Sequence, residues 1–170
     1  MFRRDPLADV QPLIKRVYAY AAYRLGDGPD AEDVTSETFE RALRYRKSYD
    51  PRKGEPVAWL LGIAKRCIDG GWSTVEYATE DLDATDPSDL EEETIRRLTV
   101  SRAVAGLDER DRELIALRYG ADLTARQIAE LLGARTNAIE VALHRALGRL
   151  RGILGVDEDA EPVRKRGASR

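Results

Sequence analysis

The run EYATEDLDATDPSDLEEE, from Glu76 to Glu93, limits what this chain can fold into more than any other feature, with nine acidic side chains and no basic one. A segment so charged and so poor in apolar residues cannot bury enough surface to offset the entropy of ordering it. It reads as a solvated, flexible acidic linker between two small folded units. The same run explains the net charge of -3: residues 1–75 carry thirteen basic against eleven acidic side chains, and residues 98–152 nine against seven. Both flanking units are therefore slightly basic, which keeps nucleic acid open as a partner.

Composition removes several other classes. No stretch approaches twenty consecutive apolar residues, and MFRRDPLADVQP has no apolar segment of the kind an export signal needs, so a cytoplasmic chain without membrane insertion is expected. A single cysteine, Cys67, rules out an internal disulfide and fits a reducing compartment. With His144 the one histidine, and far from Cys67, little is left for a zinc site, and no cofactor is expected.

Both units read as all-α. Leu13, Val17, Tyr20, Ala21 and Leu25 recur at helical spacing, and Gly26 and Gly28 supply the stop. In PDAEDVTSETFERALRY, Asp30 is placed to cap a second helix. There Val34, Ala42 and Tyr45 form one stripe with Phe39 and Leu43 beside it, while Glu32, Asp33, Glu37 and Glu40 lie on other faces. Pro51, Gly54 and Pro56 make SYDPRKGEP a loop, after which VAWLLGIAKRCI resumes an apolar helix as far as Gly70. Beyond the linker a helix starts near Thr94 and ends near Gly106. Asp108 opens the next, with Leu114, Ile115 and Leu117 facing inward and Gly120 as its stop.

The stretch LTARQIAELLGARTNAIEVALHRAL, Leu123 to Leu147, carries the most specific signal. Thr124 with Gln127 three residues on matches a capping box. Gly133 sits where the turn of a helix-turn-helix needs positive φ, and Ala129 is small where the two helices would approach most closely. Ile128, Leu132, Ile139 and Leu143 supply a shared core. An apolar stripe alone fits any helical hairpin; the combination with Ala129 and Gly133 favours a DNA reader. A recognition helix from about Thr136 to Leu154 then presents Arg135, Thr136, Asn137 and Glu140 to bases or nearby phosphates, with Arg145, Arg149 and Arg151 further along facing the backbone. The plainer reading of each arginine is a solvated helix face.

Three separated stretches, in order, make the chain resemble the extracytoplasmic-function (ECF, group IV) sigma factors of the sigma-70 family. DAEDVTSETFERAL (Asp30–Leu43) is similar to their polymerase-binding segment, AWLLGIAKRCID (Ala58–Asp69) to the helix that meets the -10 element, and LDERDRELIALRYGADLTARQIAELLG with LHRALGRLR to region 4. The resemblance implies a region 2 three-helix bundle over 1–75, the linker over 76–93, a region 4 helix-turn-helix over 94–154, and a disordered charged tail over 155–170. It implies that Glu32, Asp33, Glu37 and Phe39 dock on the β′ clamp helices of core RNA polymerase, with the β flap as a second contact. The loop Ser48–Glu55 would hold one flipped base of the -10 element, with Tyr49, Arg52 and Lys53 as its contacts and Lys65 and Arg66 on the strand's phosphates. Trp59, inside AWLLGIA, reads as core. Arg135, Thr136, Asn137, Glu140, Arg145 and Arg149 would meet the -35 element. An anti-sigma factor is an expected partner.

The chain also departs from the family pattern. No Lys or Arg occurs from Cys67 to Thr94, where many members carry a basic run. In the recognition helix AIEVALH replaces Thr-Val-Lys-Ser-Arg-Leu-His, so Glu140 and Ala142 stand at two commonly basic positions. Glutamate accepts from cytosine N4, which allows an altered upstream element; weaker binding is the other outcome. A self-standing helix-turn-helix regulator accounts for the second unit alone. A carboxylate-metal enzyme finds no Glu-x-x-His pair, nucleophile motif or phosphate-cradling loop.

Overall fold

The computed structural model describes residues 5–70 and 90–156. Seven α-helices carry the chain, and no strand occurs among the described residues. Helices α1 (Val10–Leu25), α2 (Pro29–Arg44) and α3 (Pro56–Asp69) form the first bundle, with a single 3₁₀ turn at Arg46–Ser48 leading into the loop before α3. Helices α4 (Leu90–Ala105), α5 (Glu109–Ile115), α6 (Ala125–Leu132) and α7 (Thr136–Leu154) form the second, and α5 runs directly into a π-turn at Ala116–Gly120. Most of the expected linker lies outside the described residues. Its last part is different, because Leu90 to Glu93 already belong to α4, which starts four residues before the expected Thr94.

Several inward faces differ from the periodic reading. Helix α1 buries Val17, Tyr20 and Ala21 as expected, but Leu25 is 39% exposed and Arg24 takes the inward place beside it. In α2 the buried stripe is Ala31, Val34, Thr35, Thr38 and Ala42, whereas Leu43 and Tyr45 face solvent. Two threonines enter that stripe because their hydroxyls donate to carbonyls one turn back, Thr35 to Ala31 at 2.7 Å and Thr38 to Val34 at 2.6 Å. Each polar group is thereby satisfied within its own helix. Asp30 does not cap α2: the N-cap is Gly28, Pro29 occupies the first turn, and Asp30 and Glu32 complement the helix dipole from inside it.

The start signals of the second bundle act as expected. The Asp108 carboxylate accepts from Asp111 N at 2.8 Å, and Thr124 and Gln127 cap each other reciprocally. Gly133 adopts φ 65° and ψ 34° at the end of α6, the left-handed conformation that admits glycine without strain. The helical run stops at Gly120 as expected, although not through a left-handed residue: Gly120 closes the π-turn without positive φ, and Ala121 follows as its C-cap.

The two bundles do not stand apart. A single buried cluster joins Val17, Tyr20 and Ala21 of α1, Val34 of α2 and Leu60, Leu61 and Ala64 of α3 to Leu114, Leu117, Leu123, Ile128, Ile139 and Leu143 of the second bundle. Apolar faces of the two bundles are thus buried in one shared cluster. A satellite cluster of Val104, Leu107, Ile115 and Ala146 fixes α4 and α5 against α7.

Candidate nucleic-acid and partner interfaces

The helix-turn-helix is built as its sequence requires. Ile128, Ala129, Ile139 and Leu143 are buried between α6 and α7, and Leu132 is half-buried against them. This packing sends Arg135, Thr136, Asn137 and Glu140, at the start of α7, out to solvent on one end. Arg135 is the N-cap residue in extended conformation, and no side chain caps α7, so its first amides point the same way as these side chains. Amides and an arginine at a helix N-terminus suit phosphate, while Asn137 and Glu140 carry the donor and acceptor groups that read base edges.

The arginines further along α7 diverge. Arg145 is exposed. Arg149 instead pairs with Asp111, a carboxylate whose side chain is only 7% exposed, and so ties α7 to α5.

On α2, Glu32 and Asp33 are exposed and form an acidic edge. Glu37 is half-buried and paired with Arg41 one turn on, and Phe39 is packed partly against the core. The four residues thus share a helix but not one level of exposure.

The loop before α3 borders a half-open cavity of about 610 Å³, lined in part by Tyr49, Lys53, Glu55, Trp59 and Arg66. Tyr49 is buried, its ring tilted 54° against Trp59 at 5.5 Å between centroids, and its hydroxyl donates to the Gly54 carbonyl at 3.0 Å. Tyr49 therefore shapes the loop from beneath; Trp59, expected in the core, is half-buried and lines the cavity. Arg52 forks onto Asp50 with two contacts of 3.0 Å. The hydrogen bonds from Arg52 hold the Asp50 carboxyl down to about 2. Lys65 pairs with Asp69 one turn on, and Arg66 is exposed on the cavity side.

Among the described residues no three His, Cys, Asp or Glu side chains come together as a metal-ligand group, and no described helix is long and apolar enough to cross a membrane.

Residues 10–69 match Sigma-70 region 2, and residues 97–150 match Sigma-70, region 4. The chain is 30% identical over 151 residues to the ECF RNA polymerase sigma factor SigK of Mycobacterium tuberculosis, covering 83% of this chain and 81% of SigK. This chain belongs to the ECF RNA polymerase sigma factors. It is also 31% identical over 150 residues to the ECF RNA polymerase sigma factor BldN of Streptomyces coelicolor, where the match covers 83% of this chain but only 57% of BldN. Two solved structures share the fold. CnrH in complex with the cytosolic domain of CnrY gives a TM-score of 0.59 at 21% identity, covering 86% of this chain and 82% of that one. The sigma factor RpoE in complex with the anti-sigma factor NepR from Bartonella quintana gives 0.58 at 22%, covering 85% and 93%.

In this sigma factor the region 2 match spans α1 to α3, and the region 4 match runs from within α4 to within α7. Two groups of residues escaped the sequence reading. Arg126, Gln127, Glu130 and Leu131 of α6 line the far side of the region 2 cavity. Arg24 is 7% exposed, pairs with Glu113, and lies 3.4 Å from Glu109 and 3.5 Å from Asp69. The Tyr20 hydroxyl is shared between the two Glu113 oxygens at 3.0 and 3.1 Å. Burial pushes the Tyr20 phenol well above its ordinary value, so it stays a neutral donor. Nothing local marks Arg24 as buried, because its partner Glu113 lies 89 positions away.

Proposed function

We infer that this chain is an alternative sigma factor that binds core RNA polymerase and directs promoter-specific transcription initiation through -10 and -35 elements. The observation that carries the reading is the order of the two matches, region 2 then region 4, on one chain whose helix-turn-helix presents Arg135, Thr136, Asn137 and Glu140 to solvent. Glu32, Asp33, Glu37 and Phe39 form the surface for the β′ clamp helices, and region 4 meets the β flap. The cavity under Ser48–Glu55 takes a flipped base of the non-template strand, with Lys53 and Arg66 at its rim and Arg52 released from Asp50 to reach a phosphate. The chain works in the cytoplasm, where polymerase is. The RpoE relative was solved with an anti-sigma factor, and a protein of that kind is the regulator we assign here.

A self-standing helix-turn-helix regulator leaves the match over residues 10–69 without a role. The two readings part in one experiment: binding of the purified chain to bacterial core RNA polymerase by fluorescence anisotropy, alongside the double variant Asp33→Lys with Glu37→Lys. Tight binding that the variant loses while its helical circular dichroism is unchanged supports the sigma reading. Undiminished binding by the variant refutes the surface, and no binding by the folded wild type refutes the reading.

A further inference from the structure

Helix α7 buries Ile139 and Leu143, and Val141 lies midway between them in sequence. At about 100° per residue it stands roughly 200° round the helix from each, so it points directly away from the packed side. Val141 is 45% exposed there. Asn137, one turn earlier, shares this outward line, and Glu140 is exposed on its flank. Two turns later the line reaches Gly148, where nothing stands within 4 Å of the position a Cβ would take. Glycine weakens a helix interior, and open space gives it no packing role within the protein. Its effect is to lower this face, so that a body lying against it approaches closely. A β-branched apolar residue on the same line likewise gains nothing from water and is a poorer helix former than a charged one.

The arginines at the two ends of this line set its partner. Arg135 at the N-cap and exposed Arg145 are separated by about 15 Å of helix rise, slightly more than the major groove's width of about 12 Å. They reach phosphates on opposite walls and leave the helix between them facing base edges. No Lys or Arg stands from Thr136 to His144, so selection there rests on shape and on hydrogen bonds. The Glu140 carboxylate only accepts, and cytosine presents a donor, N4, with no acceptor beside it on its own edge. Val141 neither donates nor accepts. Among the major-groove edges of the four bases, thymine alone carries an apolar group, its 5-methyl.

We propose that Val141 is a specificity-determining residue of the -35 contact, packing on the methyl of a thymine next to a base pair whose cytosine donates to Glu140. The proposal rests on the sigma reading above and adds to it the class of sequence the chain selects. One residue of helix rise, about 1.5 Å, against about 3.4 Å between base pairs keeps the two side chains over one step of the duplex. Cytosine and thymine do not pair with each other, so they occupy adjacent base pairs. The upstream element therefore contains neighbouring pyrimidine contacts, one read by its amine and one by its methyl.

Replacing thymine by deoxyuridine removes that methyl and nothing else. Core RNA polymerase carrying this chain is first used to enrich duplexes from a pool with a randomised upstream region. Each thymine of the enriched upstream element is then exchanged singly for deoxyuridine, and affinity is measured for the wild type and for Val141→Ser. The expected result is one thymine at which deoxyuridine weakens wild-type binding about fourfold, the transfer value of one methyl group, and leaves Val141→Ser binding unchanged. Enrichment with Glu140→Gln should exchange the neighbouring cytosine for adenine, which glutamine contacts at N6 and N7. A wild type indifferent to deoxyuridine at every position, or a penalty that Val141→Ser retains, overturns the thymine contact. Enrichment without a cytosine beside that thymine, or one that Glu140→Gln leaves unchanged, overturns the Glu140 pairing. All of these outcomes leave the sigma reading standing, whereas a chain that never joins polymerase overturns both.

Discussion

Replacing Gly133 tests whether the turn of the helix-turn-helix depends on backbone conformation alone. Its φ of 65° lies in the left-handed region, and nothing stands within 4 Å of the position a Cβ would take. For an L-residue that conformation costs roughly 1–2 kcal/mol. Stiffening the unfolded chain by removing a glycine returns about 0.4–1 kcal/mol. Gly133→Ala should therefore destabilise by about 1 kcal/mol, which in a chain of this size lowers Tm by about 2–4 °C. Open space makes a sharper forecast: Gly133→Leu should cost no more than Gly133→Ala, because the penalty is in the backbone. Gly133→Asn should cost least, since asparagine tolerates this region. Thermal and urea unfolding followed by circular dichroism give all three values. An alanine variant as stable as the wild type, or a leucine variant much worse than alanine, would refute the argument.

Arg145→Ala should flatten the log–log salt dependence of -35 duplex binding by about one unit, whereas an unchanged slope would mean that Arg145 only solvates its helix. Arg149→Ala should instead lower stability by roughly 1–2 kcal/mol, because it strands the buried Asp111 carboxylate; a stability change within error on urea titration would contradict that role. Glu140→Lys, which places a base at a commonly basic position, should steepen the same salt slope by about one unit, and a flat response would place Glu140 away from the DNA. Tyr20 has its phenol raised by burial, so the stability it contributes is present below the ordinary tyrosine value of about 10 and lost as pH rises through its folded value. Tyrosinate absorbance should accordingly show Tyr20 ionising late along with Tyr18 and Tyr49, with loss of compaction as Tyr20 ionises, and Tyr20→Phe should remove one tyrosine from the late step and with it the coupled loss of compaction.

What was legible in the sequence was local chemistry. Asp108, the Thr124–Gln127 box and Gly133 each act within one turn of their own position, so residue type and spacing were sufficient to place them. The positions of Arg135, Thr136, Asn137 and Glu140 followed from the turn, because α7 begins where the turn ends. Helical period located the faces of α1 and α2 but not where burial stops, hence the exposure of Leu25, Leu43 and Tyr45. Thr35 and Thr38 hid in the inward face because their hydroxyls are satisfied by their own helix. Arg24 and Gly120 were opaque for another reason: one answers to Glu113 and the other to Ala19, partners set by the packing of two distant bundles. The region 2 loop was legible as a loop, while the inward turn of Tyr49 onto Trp59 and the approach of α6 were not.

Reconstituted transcription tests the central claim most directly: core RNA polymerase, this chain, and a pool of templates carrying bacterial upstream regions. The account predicts discrete transcripts that require the chain, come from a subset of templates sharing two elements, and disappear with the Asp33→Lys, Glu37→Lys variant. Polymerase that initiates no differently with the chain than without it, from a folded sample, would contradict the account.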